Sequence, residues 1–136
     1  MRKITEIIIH CSATPAGRET SVAEIDRWHR ARGFKSIGYH YLIGLDGTIR
    51  RGRREEEPGA HCTGHNKCSI GVCYVGGCDS KMRAADTRTA AQRAALRSIV
   101  GELLHRYPGA SVHGHNEFAA KACPCFDVAT EFSNGN

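Results

Sequence analysis

Residues 4–11 read ITEIIIHC, and this short stretch decides the kind of fold that the chain adopts. Its β-branched, almost uninterrupted apolar run is typical of a strand that is buried on both faces of a sheet. A second run of the same kind, SIGVCYVGG at residues 69–77, is ended by two glycines. Because helical patterns alternate with these strands, the sequence predicts an α/β fold with one sheet and helices packed on its faces.

Two helices are predicted from the residues that begin them. Ser21 with Glu24, and Thr89 with Gln92, form capping boxes in which the side chains satisfy backbone N–H groups of the first turn. The first helix is expected to end at Gly33. The predicted apolar faces are Val22, Ile25 and Trp28 in the first helix and Leu96, Ile99, Val100, Leu103 and Leu104 in the second.

A hairpin and a short last strand complete the predicted elements. Asp46 and Gly47 are a turn pair inside IGYHYLIGLDGTIRRGR, residues 37–53, with an apolar-rich strand on each side. ASVHGH at residues 110–115 is the last strand. With no repeat and no linker, the 136 residues are predicted to form one domain, 1–136, with a short frayed tail after about residue 128.

Composition and charge limit the classes of function. The formal net charge is +5, with 40% hydrophobic and 24% charged residues, an ordinary globular balance that is mildly attractive to an acidic polymer. Nucleic acid and an anionic cell wall both qualify. No apolar run approaches the length of a membrane span, and the start of the chain lacks the pattern of a signal peptide. We therefore expect synthesis in the cytoplasm without a signal peptide and no membrane anchor.

Seven cysteines are many for a chain of this length. An odd number leaves at least one thiol unpaired, and without a signal peptide reduced thiols are the default expectation. A pair such as Cys62 with Cys68 stays open. The cysteines are Cys11, Cys62, Cys68, Cys73, Cys78, Cys123 and Cys125.

The densest group of reactive side chains is HGHNEFAAKACPCFD, residues 113–127. His113 and His115 alternate along a strand, so at most one of them joins a given site. Cys123 follows eight residues after His115, and His10 ends the first buried strand, where open sheets place ligands. Two imidazoles and one thiolate are a ligand set for a catalytic zinc with an open position. The spacing alone is also compatible with a chance arrangement.

Other candidates have weaker sequence signals. Lys121 lies two residues before Cys123 and is placed to supply a cation to a developing oxyanion, although an ordinary surface lysine has the same pattern. Tyr39 starts the strand GYHYLI and could donate a phenol hydrogen bond or be structural. His61 lies in a loop, where binding residues concentrate. His40 is expected to be structural, Trp28 a core residue, and His29, His65 and His105 surface or helix residues.

Four stretches together resemble one family: IIIHCSAT, GYHYLIGLDGTIRRGR, GAHCTGHNKCSIGVCYVGG and GHNEFAAKACPCFD. They resemble the type 2 N-acetylmuramoyl-L-alanine amidases, zinc enzymes that share their fold with peptidoglycan recognition proteins. The resemblance is strongest to the small phage lysozyme-type amidase and runs from about residue 4 to residue 127. It implies a mixed central sheet with helices on both faces and a zinc site at the edge where strands end.

The resemblance also implies roles for individual residues. His10, His115 and Cys123 match the positions of the zinc ligands, with one zinc per chain. Tyr39 matches the catalytic tyrosine, and Lys121 matches the lysine that helps hold the scissile carbonyl.

Three residues between the strands match other positions of the family. His61 falls in a loop that the family uses around the substrate cleft. Asn66 and Gly71 match structural positions. The extra cysteines, and above all Cys125 near the metal site, depart from the phage pattern, and Cys125 is a competitor for metal or a site of oxidation.

The implied reaction is hydrolysis of the amide between N-acetylmuramic acid and L-alanine in peptidoglycan, in which water activated by zinc attacks the carbonyl. Endolysin-like cell-wall lysis after release or leaderless export is the first expectation. A non-catalytic peptidoglycan-binding module and a cytoplasmic muropeptide-recycling amidase remain alternatives. Nucleic-acid binding is not expected, because interleaved aromatic residues and a binding motif are missing. The sequence does not indicate an oligomeric state.

Overall fold

The computed structural model describes residues 2–132, which form a mixed five-stranded sheet. Its strands are β1 (Glu6–Cys11), β3 (Tyr41–Ile43), β4 (Ile49–Arg51), β5 (Ser69–Tyr74) and β7 (Ser111–Gly114), in the order β4-β3-β5-β1-β7. β1 runs parallel to both of its neighbours, β5 and β7, and β3 runs parallel to β5. Only β4 is antiparallel to its neighbour. Two short strands, β2 (Thr14–Pro15) and β6 (Gly77–Cys78), form a separate pair.

Helices cover both faces of the sheet, as predicted. α2 (Ala90–Arg106) and α3 (Val128–Glu131) pack on one face, and α1 (Val22–Ala31) packs on the other. Both predicted capping boxes are present, with Ser21 and Thr89 as the N-caps. No helix among residues 2–132 is long and apolar enough to cross a bilayer.

Alternation along β1 divides its side chains between the two faces. Ile7, Ile9 and Cys11 belong to the larger core cluster under α2. His10, between Ile9 and Cys11, therefore points to the face that carries α1, and its side chain is 1% exposed. This alternation puts one polar ring beneath the first helix at the carboxyl end of an otherwise apolar strand.

The structure corrects the predicted inner face of α1. Trp28, expected in the core, is 40% exposed, and the guanidinium of Arg18 lies 5.9 Å from its ring centroid. The buried residues of this helix are Ile25 and His29, which are four positions apart and therefore share one face. His29, expected to be a surface or helix residue, lies in the helix but is buried, and its Nδ1 accepts a hydrogen bond from the backbone N–H of Gly38 (2.8 Å).

Two predicted boundaries also differ from the structure. Tyr39, expected to start a strand, precedes β3 by two residues. The chain after residue 128 is not frayed as far as Phe132, because α3 occupies Val128–Glu131 and Phe132 is 6% exposed. The rest of the expected tail, residues 133–136, lies outside the described residues. The hairpin turn is as predicted, with Gly47 at φ +85°, a conformation that favours glycine.

Candidate active site

Three metal-binding side chains meet at the carboxyl end of β1. His10 comes from β1 itself, and His115 follows β7, the strand beside it. The chain then returns so that Sγ of Cys123 lies 3.9 Å from Nδ1 of His10. One ligand atom from each of the three residues lies within 4.8 Å of the other two. The structure therefore brings together the three residues that the resemblance implied as ligands.

His113 does not join this group. Its Nε2 lies 2.6 Å from Oγ of Ser111, and its Nδ1 lies 2.8 Å from a carboxylate oxygen of Glu117. Of the two neighbouring histidines, His115 alone belongs to the three-residue group, which agrees with the expectation that at most one of them joins a given site. His115 reaches the group because it begins a 3-10 turn just after β7, not because it lies in the strand.

The donor set fits a metal of the zinc type. Two imidazole nitrogens and one thiolate sulfur are ligands that zinc prefers, and three protein ligands leave a fourth, tetrahedral position open. The backbone N–H of Cys11 donates to Sγ of Cys123 (3.2 Å), which holds the sulfur in place. These three residues could therefore hold one metal ion.

The electrostatics keep both imidazoles neutral. Burial lowers the pKa of His10 well below its usual value, and the adjacent imidazoles of His61 and His115 lower it further. Burial, followed by the positive charge of Lys121, lowers the pKa of His115. Neutral imidazole is the form that binds metal, so the site is prepared for a cation at neutral pH.

His61 lies directly behind His10. Nδ1 of His61 is 2.8 Å from Nε2 of His10, and its own Nε2 is 3.2 Å from Oγ of Ser69. Burial, followed by the charge of His40, lowers the pKa of His61 to about 3, so this ring is also neutral. The expectation of a substrate contact remains a prediction. The geometry shows His61 as a hydrogen-bonding partner of His10 that also lines the cavity.

Two residues next to His61 have structural tasks. Oδ1 of Asn66 accepts the backbone N–H groups of His61 and Cys62, both at 2.9 Å. Gly71 leaves room for the imidazole, since a Cβ at this position would lie 2.7 Å from ring atoms of His61. This packing requirement explains the glycine in β5.

A cavity of about 240 Å³ opens beside the three donors. His61 and His115 line it on the metal side, and Tyr39 and Lys121 also line it. Three further lining residues, which the sequence did not indicate as site residues, come from α1 and the segment after it: His29, Arg32 and Phe34. In the sequence, only the four-residue spacing of Ile25 and His29 could have indicated that His29 lies on the buried face of the helix.

Tyr39 lies against His10, with a distance of 5.1 Å between the ring centroids. Burial, followed by the negative charge that nearby cysteine thiolates such as Cys73 would carry, raises the pKa of the Tyr39 phenol well above its usual value. The phenol therefore remains protonated at neutral pH and is available as a hydrogen-bond donor. Lys121 is exposed at the rim of the cavity and brings a positive charge close to His115.

All seven cysteines, each within the described residues, are free. Cys125 does not reach the metal ligands through its sulfur, which lies 3.9 Å from Sγ of Cys11 and 3.4 Å from the carbonyl oxygen of Gly77. The pairing of Cys62 with Cys68 that the sequence left open is not formed.

The fold and the site together define an α/β protein with three side chains that could hold a metal ion beside a polar cavity. The family model described as N-acetylmuramoyl-L-alanine amidase matches residues 1–126. The endolysin of Escherichia phage T7 is 46% identical over 122 residues, covering 90% of this chain and 81% of that endolysin. The endolysin of Klebsiella phage KP32 is 43% identical over 93% of this chain and 84% of its own length.

A solved structure agrees with these sequence matches. The N-acetylmuramoyl-L-alanine amidase LysC from Clostridium intestinale superposes with a TM-score of 0.81 at 26% identity, over 96% of this chain and 82% of LysC. The chain therefore belongs to the N-acetylmuramoyl-L-alanine amidase family and is a peptidoglycan amidase of the cell-wall lysis type. The family is generally zinc-dependent, and this chain has a His/Cys group that could bind a metal.

Proposed function

We propose that one zinc ion, held by His10, His115 and Cys123, is the catalytic metal of this amidase. The observation that carries the proposal is that their donor atoms lie within 4.8 Å of one another beside a cavity lined by Tyr39 and Lys121. When bound in such a site, zinc supplies a Lewis acid that polarises the substrate carbonyl and makes water a better nucleophile at neutral pH. The remaining chemistry comes from the protein.

His61 fixes the proton on His10. An imidazole that binds a metal through Nδ1 carries its proton on Nε2, and in His10 that nitrogen faces Nδ1 of His61 at 2.8 Å. His10 would then donate to His61, and His61 would donate from Nε2 to Oγ of Ser69. Such hydrogen-bonded partners orient a ligand ring and raise its basicity.

Tyr39 and Lys121 stabilise the negative charge that develops on the scissile carbonyl oxygen. The phenol of Tyr39 is protonated and donates a hydrogen bond, and the ammonium group of Lys121 adds a positive charge at the rim. Groups that are already oriented towards developing charge stabilise a transition state more than a ground state. The proposed substrate is a muramyl peptide whose lactyl–L-alanine amide enters the cavity.

We further propose that residues 1–136 act as one amidase domain on the cell wall, after release from the cytoplasm in which the chain is made. The packing of α3 into the main core supports a single unit. The phage endolysins among its relatives support lysis as the role over muropeptide recycling.

Digestion of purified peptidoglycan tests the proposal. The zinc-loaded protein, its chelated form, Cys123→Ala and the matched control Cys78→Ala would be compared, with new amino groups and new reducing ends measured separately. Cys78 is a buried free thiol that donates no metal ligand. We expect the zinc-loaded protein and Cys78→Ala to release new amino groups without new reducing ends. We expect the chelated form and Cys123→Ala to release neither. Wall binding without any release, or release by Cys123→Ala, would contradict the proposal.

A further inference from the structure

A second group of metal-binding side chains lies at the other end of β1, away from the active site. Nδ1 of His65 is 2.8 Å from Oε1 of Glu6, and Sγ of Cys68 is 3.4 Å from the same oxygen. One ligand atom from each residue lies within 4.8 Å of the other two. The side chains of His65 and Glu6 are 29% and 18% exposed, so an ion can reach them from solvent.

The backbone holds these three residues together without a metal. His65 and Cys68 are three positions apart around one 3-10 turn, Asn66–Cys68, which places both on one side. Glu6 arrives from β1 because the parallel register pairs it with Ser69, the residue after Cys68. The backbone N–H of Thr5 also donates to the carbonyl of Cys68 (2.8 Å).

Arg2 adds a second connection between the start of the chain and this turn. Its guanidinium donates to the carbonyl oxygens of Asn66, Lys67 and Ser69, each at 3.1 Å. A binding site whose backbone is already ordered loses less conformational entropy when it takes up a ligand. The turn is therefore pre-organised for a ligand shared by its side chains and Glu6.

The ring of His65 is also oriented by packing. It stacks on Phe118 with 3.9 Å between the centroids and 24° between the planes. This stacking leaves Nδ1 directed at Glu6. Phe118 lies between His115 and Lys121 in the chain, so the second group is linked to the segment that carries active-site residues.

We propose that Glu6, His65 and Cys68 form a second zinc site. A carboxylate oxygen, an imidazole nitrogen and a thiolate sulfur are all zinc ligands, with bonds of about 2.0–2.3 Å. A tetrahedron with such bonds has edges of about 3.3–3.6 Å. The Glu6–Cys68 distance of 3.4 Å fits such an edge, and the Glu6–His65 pair at 2.8 Å would open slightly. The Cys68 thiol releases its proton to solvent on binding, and the two anionic ligands balance the charge of the ion.

Zinc at this position joins β1 to the segment 62–68, one wall of the active-site cavity. Cys62, Thr63 and Asn66 of that segment line the cavity. An ion bound by the folded protein but not by the unfolded chain raises stability in proportion to the logarithm of its concentration. The second site is therefore a structural metal site that fixes the cavity wall. With it, each chain binds two zinc ions and not one.

Metal titration of the reduced, chelator-stripped full chain tests this inference. Zinc binding would be measured by calorimetry, and cobalt would report thiolate ligation through its charge-transfer absorption. We expect two equivalents in the wild type and in the control Cys78→Ser, and one equivalent in Cys68→Ser and in Cys123→Ser. Zinc should raise the melting temperature of Cys123→Ser, which keeps only the second group, and should raise that of the wild type by more than that of Cys68→Ser.

A single equivalent in the wild type, or two unchanged equivalents in Cys68→Ser, would overturn the inference, and the Glu6–His65 contact would then be a plain hydrogen bond. If Cys68→Ser does not fold, His65→Gln gives the same answer, with His105→Gln as its control. The result is separate from the proposed amidase mechanism, because Cys68→Ser keeps the active-site ligands and Cys123→Ser keeps the second group.

Discussion

The two ends of β1 carry two similar sets of donors in different surroundings. His10, at the carboxyl end, meets an imidazole and a cysteine sulfur, and Glu6, at the amino end, also meets an imidazole and a cysteine sulfur. His10 is 1% exposed and its partner His115 lines a cavity, whereas the side chains of Glu6 and His65 are 18% and 29% exposed. The ligands alone therefore do not distinguish a catalytic centre from a structural one.

The difference lies in what surrounds each group. The His10 group has a cavity of about 240 Å³, a protonated phenol from Tyr39 and the cation of Lys121. Near the Glu6 group, backbone carbonyl oxygens accept hydrogen bonds from Arg2, and the ring of Phe118 stacks on His65. Catalysis needs groups that stabilise developing charge, and only the first group has them among the described residues.

Removal of a sulfur ligand from each group gives the largest expected contrast. Cys123→Ala leaves two ligands in the active site, and we expect amidase activity to fall to background. Cys68→Ala leaves the active site intact, and we expect activity within about twofold of the wild type, in the range of substitutions that do not touch a functional group. Initial rates of amino-group release with saturating zinc measure both. Similar losses of amidase activity in the two variants would contradict the assignment of the first group as catalytic and the second as structural.

Tyr39→Phe tests the phenol that only the first group has. Removal of one donor to a developing oxyanion costs about 10²–10³-fold in kcat. We expect such a loss with unchanged zinc stoichiometry, because Tyr39 is not a ligand. Tyr107→Phe is the control, since its hydroxyl donates to Glu55 and does not line the active-site cavity. An unchanged kcat in Tyr39→Phe would remove the tyrosine from the mechanism.

His61→Gln tests the support behind His10. Loss of the hydrogen-bonding partner of a ligand histidine typically weakens metal affinity by about 10- to 100-fold. We expect a loss of this size at the first zinc equivalent, measured by competition with a chelator, and no change in His105→Gln. If zinc affinity is unchanged while KM rises, His61 contacts substrate, as the sequence had indicated.

Glu6→Gln gives the smallest expected effect. The amide retains the shape of the carboxylate but is a poorer metal ligand, so the second zinc should bind more weakly. Activity in excess zinc should stay within about twofold, and the rise in melting temperature caused by the second equivalent should become smaller. Glu102→Gln, an exposed residue of α2, is the matched control. A large loss of activity would mean that the second group takes part in catalysis.

Local patterns predicted most of the fold. The apolar runs of β1 and β5, the two capping boxes and the Asp46–Gly47 turn depend on neighbours in the chain. The caps and the turn lie where the sequence placed them, and β1 and β5 lie within the predicted runs 4–11 and 69–77. Trp28 is exposed, although the apolar spacing of α1 predicted that it would be buried. The helix has few apolar residues, so their spacing alone does not define its inner face. The structure defines that face by the burial of Ile25 and His29.

Contacts between distant parts of the chain account for what the sequence did not reveal. His10 and His61 are 51 residues apart, and their hydrogen bond depends on the room above Gly71. His65 and Cys68 have ligand spacing, but their partner Glu6 comes 59 residues before His65 and is brought there by the β1–β5 register. The resemblance indicated the three residues that the structure brings together, His10, His115 and Cys123, because that information came from a family and not from spacing.

A crystal structure of the protein loaded with one equivalent of zinc, with anomalous data at the zinc edge, would show which of the two groups holds the catalytic metal. The same preparation would be assayed for amidase activity. We predict one strong anomalous peak, bonded to Nδ1 of His10, a ring nitrogen of His115 and Sγ of Cys123, in an active enzyme. A peak at Glu6, His65 and Cys68 instead, with the preparation fully active, would contradict the assignment of the catalytic centre.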